Sequence, residues 1–79
     1  MIEWRVAQTE EFTYSSVLTT GGRTAAVVVG NSDDWWATVV RCPDCKGGEA
    51  EYMPLRKRFA SLAEARQWCE RMLNEYGVI

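Results

Sequence analysis

Ser61-Leu62-Ala63-Glu64-Ala65-Arg66-Gln67-Trp68-Cys69-Glu70-Arg71-Met72-Leu73-Asn74-Glu75-Tyr76-Gly77 carries the start, stripe and stop of one amphipathic helix. Ser61 stands three residues before Glu64, the spacing of a capping box, in which two side chains take up backbone N–H groups left without partners by the first turn. Leu62, Ala65, Cys69, Met72, Leu73 and Tyr76 recur at helical spacing and so line one stripe. Gly77 supplies the left-handed residue on which helices commonly stop. Such a stripe is stable only against another apolar surface, so the residues before Ser61 must supply one.

Those residues read as strands. Ile2-Glu3-Trp4-Arg5-Val6 alternates apolar and charged with period two, which predicts a strand with Ile2, Trp4 and Val6 on one face. Phe12 to Thr19 is rich in β-formers and runs into Thr20-Gly21-Gly22-Arg23, a turn signal. Residues 9–19 admit two readings: Thr9 is placed to cap a short helix opening with Glu10 and Glu11, but the Ser and Thr residues from 13 to 19 favour strand. Thr24-Ala25-Ala26-Val27-Val28-Val29 has the continuous apolar character of a central strand, and Gly30-Asn31-Ser32-Asp33-Asp34 breaks it. Trp35 to Arg41 and Tyr52 to Phe59 are the fourth and fifth strands, joined by a loop with Pro43, Gly47 and Gly48. The expected fold is α+β: a single antiparallel sheet of four to five strands in a meander, with one C-terminal amphipathic helix packed on one face. Residues 1–79 are expected to form a single domain without repeat or linker.

Size and composition narrow the function. A chain of 79 residues buries only roughly 60–65% of its unfolded surface, enough for one core but not for a cleft walled by two lobes. It has no His, which removes the commonest general base and zinc ligand together with the usual hydrolytic triads. A non-catalytic binding protein, not an enzyme, is therefore expected, with no cofactor. No run of about 18 apolar residues occurs, and Met1-Ile2-Glu3-Trp4-Arg5 lacks the basic and apolar regions of a signal peptide. The expectation is a cytoplasmic protein of a bacterial host, a monomer or weak dimer, with no membrane partner.

The net charge of −2 implies solubility and little else, but its distribution is uneven. Residues 1–34 carry Glu3, Glu10, Glu11, Asp33 and Asp34 against Arg5 and Arg23; residues 41–58 carry Arg41, Lys46, Arg56, Lys57 and Arg58 against Asp44, Glu49 and Glu51. An acidic and a basic side follow. The clusters Glu10-Glu11 and Asp33-Asp34, flanked by Phe12 and Trp35, form a candidate partner-binding surface of carboxylates and aromatic anchors suited to an arginine-rich protein groove. Trp35 and Trp36 are neighbours on a strand, so one of the two rings must leave the core. On the fifth strand Arg56 and Arg58 share the face of Tyr52, opposite Lys57, Leu55 and Phe59; with Arg41 they are the candidate nucleic-acid-binding set.

Cys42-Pro43-Asp44-Cys45 has the spacing of a zinc knuckle, which supplies half of a tetrahedral site. Cys69 lies on the helix stripe, where a small buried thiol is a core residue, so no further ligand is in view and no metal is expected. The bland reading of Cys42 and Cys45 is a hairpin loop whose two thiols are reduced or close a small exposed disulfide, and the alternative is a zinc site completed by Asp44, by water or by a second chain.

Trp36-Ala37-x-Val39 followed by Phe59-x-Ser61-x-x-Glu64-Ala65-x-x-Trp68 resembles the strand-strand-helix end of arm-type integrase and AP2-like DNA-binding domains, over about half of the chain. That resemblance implies a sheet that contacts the major groove through Arg41, Tyr52, Arg56 and Arg58. By type and without a motif, the chain is also similar to small phage and mobile-element proteins, including anti-CRISPR inhibitors. This second likeness implies stoichiometric binding to a host nucleic-acid-targeting complex, through Glu10, Glu11, Asp33, Asp34 and Trp35. The leading expectation is such an inhibitor; the alternatives are a small nucleic-acid-binding module using its sheet face and a phage structural or assembly protein. Which large side chains leave the core discriminates: acidic with aromatic favours a protein partner, basic with aromatic favours nucleic acid.

Overall fold

A computed structural model describes residues 2–19, 21–40 and 54–77. Five strands form one sheet: β1 (Arg5–Gln8), β2 (Thr13–Leu18), β3 (Thr24–Asn31), β4 (Asp34–Val40) and β5 (Pro54–Phe59), followed by the helix α1 (Leu62–Glu75). Spatial order equals chain order and every neighbouring pair is antiparallel, which is the expected meander. The open sheet carries the helix on one face, chiefly over β3, β4 and β5.

The turns show why the chain reverses where it does. Thr9 caps a turn and not a helix: its N–H donates to the Phe12 carbonyl at 2.8 Å and its Oγ1 accepts from the Phe12 N–H at 3.0 Å. This settles residues 13–18 as strand. Between β3 and β4 the strands run further than expected, through Gly30, Asn31 and Asp34, leaving Ser32 and Asp33 as a two-residue turn with Ser32 at φ 49°. Gly30 is required there, because a Cβ would overlap the Asp34 carbonyl oxygen and crowd the Trp35 backbone. The Trp35 indole N–H donates to the Ser32 carbonyl at 3.0 Å and latches the turn onto the core.

Ser61 accepts a hydrogen bond from the Glu64 N–H at 3.1 Å, the first half of the expected capping box. At the other end the Tyr76 N–H donates to the Met72 carbonyl and Gly77 takes φ 68°. Ala65, Cys69 and Leu73 are fully buried against Val17, Ala26, Val28, Trp35, Ala37 and Val39 of the sheet. The alanines on both layers let the helix backbone approach the sheet, and the Phe59 and Trp68 rings, 5.7 Å apart and tilted by 48°, close the β5 side.

The first strand departs from its expected form. Ile2 and Trp4 precede β1 and pack against the core from outside the ladder, whereas Val6 lies within β1 and is 59% exposed. Val6 pairs with the buried Ser15 and so points to the helix side. One helix covers only part of a five-stranded sheet, and β1 at the edge lies beyond its reach. Ser15 is tied instead to the helix by Arg66, whose Nη2 donates to Ser15 Oγ at 2.7 Å while its guanidinium sits 5.4 Å from the centre of the Trp4 ring. Among the described residues no helix is long and apolar enough to cross a membrane.

Candidate functional site

The sheet face turned away from α1 has no covering element among the described residues. Strand register sets its side chains in rows. Ala7, Tyr14, Val29, Trp36 and Arg58 face one another across the five strands, and Arg5, Ser16, Val27, Thr38 and Arg56 form the adjacent row. Trp36 is 46% exposed and Tyr14 is 40% exposed, while Val27 and Val29 between them are half-buried. Val29, Trp36, Thr38 and Arg56 line a concavity of about 340 Å³.

Among the described residues, the charge that the strands place on this face is mostly positive. Arg58 Nε lies 2.6 Å from Asp34 Oδ1, and its guanidinium carbon is 5.8 Å from the Trp36 ring centre. The hydrogen bond that Arg58 donates to Asp34, and after it the charge of Asp34, raises the Arg58 pKa above its ordinary value. Among the described residues no carboxylate pairs with Arg5 or Arg56. Arg56 and Arg58 therefore share one face as expected, with Lys57 on the other, where its Nζ is 5.5 Å from the Phe59 ring centre.

The acidic candidates assemble at one end of the sheet. Glu10 and Glu11 occupy the β1–β2 turn, Asp33 the β3–β4 turn, and Asn31 Nδ2 donates to the Glu11 carbonyl at 2.9 Å, drawing the two turns together. Phe12 is exposed beside them, and Asp34 is engaged by Arg58. Trp35 departs from its expected place in this surface. It is 7% exposed, pairs with Gly30 and Phe59, and faces the helix layer; the outward ring is that of Trp36. The alternation of side chains across the strand forces one ring to each side, and the register with β3 decides which.

Arg41 and Tyr52 of the candidate nucleic-acid set lie outside the described residues, as do Cys42 and Cys45. Among the described residues no group of three or more His, Cys, Asp or Glu side chains converges as metal ligands. Cys69 is fully buried in the core; burial, and after it the charge of Glu70, pushes its thiol up to about 12. The helix side of β5 carries a second concavity of about 320 Å³ beside Lys57, Trp68 and Arg71, with Glu64 among its walls.

The chain matches no family model, no curated protein and no solved structure. Its functional reading rests on the two surfaces just described. Tyr14 and Arg5 were not among the candidate residues. Their signal in the sequence is position alone, since Tyr14 and Ser16 alternate with Ser15 and Val17 and only the strand pairing shows which set faces outward.

Proposed function

We propose that the protein is a non-catalytic nucleic-acid-binding module that uses the open face of its sheet. One observation carries this reading: among the described residues, the exposed rings of Tyr14 and Trp36 share a face with Arg5, Arg56 and Arg58, against the carboxylate of Asp34. Arginines supply phosphate contacts and aromatic rings supply base contacts, and this face presents both on rigid strands. Basic and aromatic side chains leaving the core together is the pattern that favours nucleic acid over a basic protein partner.

The test is binding of fluorescently labelled oligonucleotides, single- and double-stranded, followed by anisotropy across a salt series. The wild-type chain is expected to bind with an affinity that falls as salt rises. Arg5→Ala with Arg56→Ala should weaken binding to every oligonucleotide at least tenfold and flatten the salt dependence. Wild-type affinity in the double variant, or no binding at low salt, overturns the reading.

The acidic end supports a second reading, that of a stoichiometric inhibitor of a host nucleic-acid-targeting complex. The Asn31–Glu11 hydrogen bond favours it, because it gathers Glu10, Glu11 and Asp33 into one patch beside exposed Phe12. On this reading Glu11→Lys with Asp33→Lys slows association with a basic protein groove and Phe12→Ala speeds dissociation. Unchanged inhibition of such a complex by both variants would remove it.

A further inference from the structure

The geometry points to single-stranded nucleic acid as the ligand of the open face, with two successive unstacked bases resting on Tyr14 and Trp36 and the sugar-phosphate backbone following the row of Arg5 and Arg56. The inference rests on the nucleic-acid reading above and adds the class of strand and its path.

Width is the first argument. Neighbouring strands are about 4.8 Å apart, so five of them present a face roughly 19 Å across, whereas the major groove of duplex DNA is about 12 Å wide and admits a helix or a two-stranded ribbon. Tyr14 on β2 and Trp36 on β4 sit within this face and not on a projecting tip, so their rings cannot reach base edges at the floor of a groove. Unstacked bases of a single strand can lie directly on them.

Spacing is the second. Tyr14 and Trp36 are separated by one strand, about 10 Å, with half-buried Val29 as the apolar floor between them. The adjacent row begins two residues along each strand, about 7 Å away, and ends in Arg5 on β1 and Arg56 on β5. Bases over the first row thus leave phosphates over the second, between two arginines without a carboxylate partner among the described residues. Arg58 has a different part. Asp34 holds it, and it lies over Trp36, so it forms the wall of the base platform while its charge stays balanced. The concavity beside Trp36 adds the Thr38 hydroxyl and the Arg56 guanidinium to the same spot, offering polar contacts to the edge or phosphate of the nucleotide stacked there.

The experiment compares a fluorescein-labelled twelve-nucleotide oligothymidylate with a duplex of the same length, by anisotropy and by quenching of intrinsic tryptophan emission, on the full chain. The single strand is expected to bind at least tenfold more tightly than the duplex and to quench tryptophan emission. Trp36→Ala and Tyr14→Ala should each weaken single-strand binding about fivefold or more, in line with the loss of one stacked base. Trp36→Phe, which retains a ring, should preserve most of the affinity while losing most of the quenching; circular dichroism of each variant confirms the fold. Arg56→Ala should lower the slope of log affinity against log salt by about 0.7. Duplex binding equal to or tighter than single-strand binding, still lost in the Arg5 and Arg56 variants, overturns this inference and leaves the nucleic-acid reading standing. Folded Trp36→Ala and Tyr14→Ala chains that bind like wild type overturn the stacking path, and no binding of either oligonucleotide at low salt overturns both proposals.

Discussion

Ser32 holds a left-handed backbone with a side chain that disfavours it, at the first position of a two-residue hairpin turn. An L-residue there costs about 1 kcal/mol relative to glycine, partly offset by the extra freedom glycine brings to the unfolded chain. Ser32→Gly is therefore expected to raise stability by about 0.5 kcal/mol, read as a higher denaturant midpoint at unchanged slope; a lower midpoint would contradict the turn geometry. Cys69 makes the opposite kind of statement, because burial penalises its charged form. A thiol whose folded pKa is raised stays protonated in the native state while the unfolded chain ionises from its ordinary 9.0 upward, so the native state loses stability as pH climbs from about 9 towards 12. Cys69→Ala should flatten the pH dependence of the denaturant midpoint over that window. In the native wild type at pH 8, Cys69 should resist thiol reagents that label it at once in urea.

The helix and the sheet exchange burial, and Leu73 is where they do so most fully, since it is fully buried on the helix face opposite the small side chains of the sheet. Leu73→Ala removes that contact and leaves a cavity, at a cost of about 2–5 kcal/mol. A domain of this size has roughly 4–12 kcal/mol to lose, so the variant should melt far earlier or fail to fold at 37 °C. The cap is a smaller lever: Ser61→Ala deletes the acceptor for the Glu64 N–H and should cost about 1 kcal/mol, visible as a shift of the denaturant midpoint. If the Ser61 effect matched that of Leu73, packing would not be the main support of the helix.

At the scale of the whole molecule, neither layer is stable alone: an open five-stranded sheet exposes one apolar face without α1, and α1 exposes its stripe without the sheet. Unfolding should therefore be one event. Helix loss by far-ultraviolet circular dichroism and loss of the buried environment of Trp35 by fluorescence should give the same midpoint and slope in urea. Two separated midpoints would show the sheet surviving without its helix. Among the described residues the same arrangement divides the surface into three regions: a covered face, an open face carrying Tyr14, Trp36 and Arg5, Arg56 and Arg58, and an acidic end formed by the β1–β2 and β3–β4 turns.

The amino-acid sequence by itself determined the elements with local causes. The helix from Ser61 to Gly77 was legible because its cap, its stripe and its stop are each set by residues within about one turn of their neighbours, and the meander because each reversal is written in nearby Thr, Gly, Asn and Asp residues. It also determined that Arg56 and Arg58 share a face, since alternation within one strand needs no partner. What depended on pairing between distant segments was decided only by the tertiary structure. Trp35 turns inward and Trp36 outward because of the register of β4 with β3 and β5, and a shift of one residue would exchange them. Val6 stays exposed because a single helix, about 10 Å wide, covers the middle and β5 side of the sheet and leaves the β1 edge bare. Tyr14 and Arg5 join Trp36 and Arg56 for the same reason: their neighbourhood is created by hydrogen bonds between strands, and no short-range pattern in the chain encodes it.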